Sequence, residues 1–403
     1  MKFNKWTLGL AAVGVVSLTS AARADEKPSA VQTALSNTTI SGYVSASANV
    51  GLTDNYAVSP AASIPFQPTS KQNGFNLDVV KLTIAKPEDA TPWASGYQVD
   101  LLFGPDAVGY NSSVNGTSTT DYAIKQAFVT LNTPVGNGID WKIGVFDSPL
   151  GYEVYDAGSN PNYTHSYGYA IEPTELTGVQ ASYKVNDSIS FSGGVANTSS
   201  AGINSRNNTS GYTGNLKTGS DWHKAYFGTA TWTAPSSLGW AAGSAAYVGV
   251  LYGSVTSSGT AYSNGNQVNY YGGATLNTPW KQITTGVAFD YARNYGGGFS
   301  IPGSNGNTDV LALGLYGTYK ASDKLSLSAR GEYVEADAYS NDKYANSQNL
   351  IELTGTVEYD LWANVQSRLE LRWDQNLSVS DGLLNGAAYR DAVGLYANII
   401  YKF

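Results

Sequence analysis

The chain has 403 residues, with 23 basic and 31 acidic side chains, a net charge of −8, and no cysteine. The acidic balance excludes a general nucleic-acid binder, which must present a basic surface to phosphates. The lack of cysteine excludes a disulfide framework and cysteine-ligated metals.

Chain order begins with a leader. Lys2 and Lys5 form a basic start, residues 8–18 are uncharged and apolar, and Ala22-Arg23-Ala24 fits small-x-small processing. The apolar run is too short for a spanning helix, which needs about 20 residues. Cleavage is expected after Ala24, leaving residues 25–403 as a single domain. Losing Lys2, Lys5 and Arg23 moves the net charge from −8 to −11. An exported chain with 44 glycines, 29 tyrosines and 9 tryptophans has the composition of an outer-membrane β-barrel.

Beyond the leader, short turns alternate with long polar stretches. Turn candidates are Thr91-Pro92-Trp93, residues 133–138, Asn186-Asp187, residues 234–239, Thr278-Pro279, Ser322-Asp323 and Trp362-Ala363. Long loops rich in Ser, Asn, Gly and Thr are expected over residues 52–73, 105–120, 147–175, 198–221, 254–264, 294–307, 338–347 and 376–387. This pattern predicts an all-β fold: an antiparallel transmembrane barrel of sixteen strands, closed, with both termini on the periplasmic side.

The strands alternate as such a barrel requires. Tyr97, Val99, Leu101 and Phe103 interleave with Gln98, Asp100 and Leu102. Near residue 370, Leu369, Leu371 and Trp373 interleave with Arg368, Glu370 and Arg372. A charge facing mid-bilayer costs a few kcal/mol, so the charged face points inward. Alternation is ambiguous from Asp78 to Lys81, where a bulge fits. Trp93, Trp141, Trp240, Trp280 and Trp362 recur at the short turns. Indole favours the headgroup level, so these five are expected to form a periplasmic aromatic girdle.

The longest loop, 147–175, carries Asp147, Glu153, Asp156, Glu172 and Glu175 and no lysine or arginine. It also holds Tyr152, Tyr155, Tyr163, Tyr167 and Tyr169. A fully solvated loop has no use for so many rings, whereas one folded into the barrel packs them on the inner wall. The stretch 141–185 resembles the fifth strand, third loop and sixth strand of bacterial porins, and within these the OmpL-like β-barrel porin family. The resemblance rests on the strand end Gly144-Val145-Phe146, then Gly151-Tyr152-Glu153, then Asn160-Pro161 amid Ser and Tyr, then the strand start Thr177-Gly178-Val179. The Pro-Glu-Phe-Gly type of constriction motif of enteric porins has no counterpart here. The resemblance implies a homotrimer of water-filled channels passing small hydrophilic solutes and ions by diffusion, each narrowed by this loop. Asp147, Glu153, Tyr155, Asp156, Tyr163, Glu172 and Glu175 are the expected constriction residues, and their charge favours a mild cation preference. The alternatives are a solute-selective channel, with the tyrosines as a sugar-stacking strip, or a non-conducting barrel whose loops bind a surface partner. Only residues 25–37 precede the first strand at Thr38, which leaves no plug domain of the kind energised transporters carry.

Lys142, Arg330, Arg368, Arg372 and Arg390 share the inward parity and are the expected basic wall facing that loop. Acidic loop against basic wall makes a transverse field; the other reading is ordinary solvated lumen charge. His165 and His223 are loop histidines, expected to be solvated. No HExxH, EF-hand or phosphate-loop pattern is present, so neither an enzyme nor a metal or cofactor site is expected. The final strand, 391–403, carries Val393, Leu395, Ala397, Ile399, Tyr401 and Phe403 on one face. It resembles the C-terminal signature of outer-membrane proteins, with Tyr401 and Phe403 as the signal read by the barrel-assembly machinery. The surroundings implied are membrane lipid and lipopolysaccharide.

Overall fold

A backbone crossing hydrocarbon must satisfy its N–H and C=O groups internally, and a sheet closed on itself does so without leaving an edge. The computed structural model of this chain shows that solution. It describes residues 37–53, 73–89, 91–107, 121–199, 202–204, 224–254, 266–295, 307–340, 343–378 and 391–403. The expected leader, His223 and Arg390 lie outside the described residues.

The strands are β1 (Thr39–Gly51), β2 (Gly74–Lys86), β3 (Ser95–Phe103), β4 (Tyr122–Thr133), β5 (Ile139–Asp147), β6 (Glu175–Lys184), β7 (Ile189–Ala196) and β8 (Ala225–Thr233). They continue as β9 (Ala245–Ser254), β10 (Asn266–Asn277), β11 (Ile283–Tyr295), β12 (Asn307–Lys320), β13 (Leu325–Ser340), β14 (Lys343–Trp362), β15 (Val365–Asn376) and β16 (Asp391–Lys402). Each pairs antiparallel with its sequence neighbours, and β1 pairs with β16 to close the barrel. At that seam the Gly42 N–H donates to the Phe403 carbonyl at 3.0 Å, and the Gly42 carbonyl accepts the Phe403 N–H at 2.9 Å.

Period-two alternation decides which face meets lipid. On β15, Arg368, Glu370, Arg372 and Asp374 are buried inside, while Leu369 and Leu371 stand outward and exposed. On β16, Tyr396, Asn398 and Ile400 point in, and Ile399 and Tyr401 point out. The pairing register shifts at five places among the described strands, and two of these shifts put charged residues inside the barrel. Between β1 and β2 the register steps from Ser45↔Val79 to Ala46↔Leu77, leaving Asp78 as the extra residue. Between β3 and β4 it steps from Asp100↔Gln126 to Leu101↔Ile124, leaving Lys125 extra. At each bulge two consecutive side chains, Asp78 with Val79 and Lys125 with Gln126, are buried. The first lies where the sequence was ambiguous; nothing in the sequence marked the second.

Seven short connections gather at the end where β1 starts and β16 finishes. Trp93, Trp240, Trp280 and Trp362 project there, each more than half exposed, and the Trp141 indole donates to Thr133 Oγ1 at 3.0 Å. At the other end, one expectation changes. Residues 338–340 and 343–347, expected as loop, are strand: β13 and β14 stay paired as far as Ser340↔Lys343.

Candidate functional site

The loop between β5 and β6 lies inside the barrel, and Ser159 is the one exposed residue of 148–174. Its two ends are tied at the base by the Ser148 N–H donating to the Thr174 carbonyl at 2.9 Å. Asn160 closes the first arm: its amide donates to the Val154 carbonyl at 2.6 Å and accepts the Val154 N–H at 3.0 Å. The turn Ala157–Ser159 and the helix α1 (Tyr167–Ile171) are the regular elements. Short as it is, α1 is capped: Ser166 Oγ accepts the Tyr169 N–H at 3.0 Å, and Glu332 on β13 accepts those of Tyr167 and Gly168 at 2.8 and 3.1 Å. A carboxylate there satisfies orphan donors and opposes the helix dipole.

The same logic runs along the loop. A backbone crossing the lumen carries polar groups that need partners, and the far wall supplies them with charged side chains. Glu370 accepts the N–H groups of Tyr163 and Thr164, the latter at 2.9 Å. Arg330 donates to the Thr164 carbonyl at 2.6 Å, Arg372 to that of His165 at 2.6 Å, and Arg368 to those of Ala157 and Asn162 at 2.6 and 3.2 Å. Of the expected basic wall, these three arginines are at most 3% exposed and lie behind the loop, bonded to it. Arg330 also pairs with Glu352, and Arg372 with Asp374.

Glu153 is the loop's own anchor. It accepts from Arg330 at 2.9 Å, Tyr316 Oη at 3.2 Å and the Ser166 N–H at 3.0 Å, and lies 3.0 Å from His165 Nδ1. Burial by itself would raise this carboxyl; Arg330 and the His165 and Ser166 contacts reverse that and hold it at about 2. His165 is buried and stacked on Tyr169, with ring centroids 4.1 Å apart. Tyr152 stacks on Tyr316 at 4.2 Å, and Tyr163 packs against Tyr396 at 5.8 Å. Tyr152 also lies over Gly286 of β11, where a Cβ would collide with its Oη. These rings, with Phe128, Phe146, Leu176, Phe227 and Leu251, form apolar clusters inside the barrel.

The near side differs. Asp156 pairs with Lys81 at 2.8 Å and accepts from Tyr43 at 3.0 Å, and Lys81 also lies 3.5 Å from Asp100. Asp147 pairs with Lys125 at 2.5 Å, and Lys125 sits 5.2 Å over the Tyr155 ring. The carboxylates are the wetter partners: Asp156 and Asp147 side chains are 32% and 28% exposed against 9% and 3% for their lysines. Burial would raise the Asp156 carboxyl, but Lys81 and Lys125 hold it below the usual range. Lys142 projects inward from β5, half-buried, over the Phe128 ring at 4.7 Å. Glu175 is buried at the start of β6, and Glu172 accepts the Tyr152 N–H at 3.3 Å. Sequence reasoning turned Glu370 inward without giving it a part in the site, and it gave none to Lys81, Lys125, Asp78, Glu332, Glu352 and Asp374. Asp374 shares the inward parity of Arg368, Glu370 and Arg372, a signal that could have found it; Lys125 sits at a bulge that hides parity.

A closed sixteen-stranded barrel, apolar outside and holding an inward loop, is the porin fold. The chain belongs to the family described as "Putative beta-barrel porin-2, OmpL-like", whose model matches residues 37–403. No curated protein matches it. Among solved structures it is similar to the outer-membrane channel DcaP of Acinetobacter baumannii, with TM-score 0.56 and 14% identity over 91% of this chain and 97% of that one. It is also similar to an anion-selective porin from Comamonas acidovorans, with TM-score 0.56 and 11% identity over 91% and 99%. A third is Salmonella typhi OmpF in complex with daunomycin, with TM-score 0.54 and 13% identity over 91% and 98%. At such identities the likeness is one of fold.

Proposed function

We propose that the chain forms a water-filled channel through which ions and small hydrophilic solutes diffuse passively, with a mild preference for cations. The observation that carries the sign is the uneven exposure of the near-side ion pairs. Lumen water meets the carboxylates of Asp156 and Asp147, while Lys81 and Lys125 are tucked behind them. The arginines that would favour anions are covered by the loop. Fold does not decide selectivity; lumen charge does, so likeness to an anion-selective porin does not oppose this reading. A sugar-stacking strip finds less support, because Tyr152, Tyr163, Tyr167 and Tyr169 are at most 7% exposed and engaged in packing. Proposed with the channel are a homotrimer, insertion by the barrel-assembly machinery guided by Tyr401 and Phe403, a setting of lipid and lipopolysaccharide, the tryptophan girdle, and removal of residues 1–24.

The test is single-channel recording in a planar bilayer under a salt gradient. Discrete ohmic steps with a reversal potential toward cations are expected. Asp156→Asn and Asp147→Asn should each shift that potential toward anions, since each removes a wetted carboxylate and uncovers a lysine. Stable insertion without conductance would overturn the channel reading.

A further inference from the structure

Between the turn Ala157–Ser159 and the barrel seam lies a cavity of about 250 Å³, at the end where β1 starts and β16 finishes. The turn lines one side of it, β1 and β2 another, and β16 a third. These walls are fixed. A Cβ on Gly158 would lie 2.9 Å from Ile400 Cδ1 and 3.0 Å from Gln366 Oε1, so the turn is seated directly on β15 and β16. The Ser159 N–H closes the turn on the Asp156 carbonyl at 2.7 Å. The Phe403 ring lies over Gly42, where a Cβ would come within 2.8 Å of it. A preformed cavity costs a solute little in ordering its walls.

The charged side chains lining it are Lys81, Asp156 and Lys402, and their charge is divided between two ends. Lys81 is buried and bonded to Asp156 at 2.8 Å, with Asp100 at 3.5 Å. One ammonium between two carboxylates leaves that end with an excess negative charge. The Asp156 carboxylate is the part of it that meets water. Lys81 and Tyr43 fill three of its roughly four acceptor positions. At the other end Lys402 is exposed and donates to the Gly158 carbonyl at 3.2 Å. The turn therefore carries a wet carboxylate before Gly158 and a wet ammonium upon it.

We propose that this cavity docks small zwitterionic solutes, of which α-amino acids are the simplest. Asp156 receives the ammonium and Lys402 the carboxylate, with the Ser41 hydroxyl beside them and Ile400 and Phe403 against the carbon skeleton. A simple anion is opposed by Asp156 and a simple cation by Lys402, whereas a zwitterion is matched at both ends. A neutral polyol forms none of the stronger bonds in which both partners are charged. The site gives the proposed channel a solute class: block of current rests on the channel reading, and docking itself does not.

The test adds alanine at neutral pH to both sides of the wild-type protein in planar bilayers, with propionate, propylammonium and glycerol as comparison probes. Alanine should lower the current saturably, and the other three should not. Asp156→Asn and Lys402→Gln should each raise the half-blocking concentration about tenfold or more, the loss expected when one charged partner is removed. Lys402→Arg keeps the charge and should keep the block. Should Lys402→Gln fail to insert, Asp156→Asn decides alone. No saturable block by alanine, an equal block by propionate or propylammonium, or an unchanged block in either neutralised variant overturns the docking site. If the protein inserts without conducting, the channel reading falls, and binding of radiolabelled alanine to the protein in detergent decides the site. Saturable binding lost in the neutralised variants supports it; no binding, or binding that survives in either variant, refutes it.

Discussion

Replacing Arg330 by methionine should release the constriction loop from the far wall while leaving the barrel closed. Arg330 donates to Glu153, to both oxygens of Glu352, to the carbonyls of Thr164 and His165, and to Thr164 Oγ1. Methionine fills much of the volume and makes none of these bonds. Glu153, Glu332 and Glu352 are left in a pocket where each is at most 5% exposed, and two loop carbonyls lose a charged donor. Removing one partner of a buried pair costs about 3–5 kcal/mol. Since ~1.4 kcal/mol is a factor of ten, the loop's opening equilibrium should rise by about 10² to 4 × 10³. The amides to watch are Thr164, Ser166 and Tyr167, whose N–H groups are held by Glu370, Glu153 and Glu332. Hydrogen exchange by mass spectrometry should show them accelerating by that factor, while amides at the Gly42–Phe403 seam keep their protection. Unchanged exchange in the loop would refute the reasoning, because the arginine would then not be what holds it. Equal acceleration at the seam would refute the claim that the loop opens apart from the barrel.

Two further outcomes follow from the same contacts. Glu153 is held at about 2 against an ordinary 4.5, so its anchoring is fully present above the ordinary value and is lost as pH falls from there toward 2. Channel noise from loop motion should rise over that acid window, and Glu153→Gln should be noisy on both sides of it. Gly286→Ala should displace the Tyr152 ring, with an overpacking cost of about 1–3 kcal/mol. Combining it with Tyr152→Ala should recover part of the loss, read as protection of the loop from protease; no recovery would break the assignment of that contact.

Strand positions were legible because lipid on one side and polar lumen on the other impose period two, as Leu369, Leu371 and Trp373 against Arg368, Glu370 and Arg372 make plain. Legibility failed where the period failed. The bulge at Lys125 sets it beside Gln126 on one face, and a residue out of phase looks like one facing lipid. The segment 338–347 looked like loop because Asn, Ser and Asp dominate it, yet β13 and β14 stay paired through most of it. The loop's aromatics announced packing, but not against what: Glu332 and Glu370 are 165 and 207 residues from the amides they hold. No local pattern records such a pairing. The covering of the arginines was equally invisible, since parity gives direction and not depth.

The seam between β1 and β16 has a kinetic consequence. Tyr43 lies opposite Lys402 and Gly51 opposite Gly394, so the contacts that finish the sheet join the two ends of the sequence. Ring closure over such a span is entropically unfavourable and is offset only once the intervening strands stand in order. Until then β1 and β16 are both unpaired edges, ready to join the wrong neighbour. The hazardous period in the life of this protein is therefore the interval before its first and last strands meet, and a substitution at Gly42, whose Cβ would collide with the Lys81 carbonyl, should lengthen that interval more than one of equal size mid-sheet.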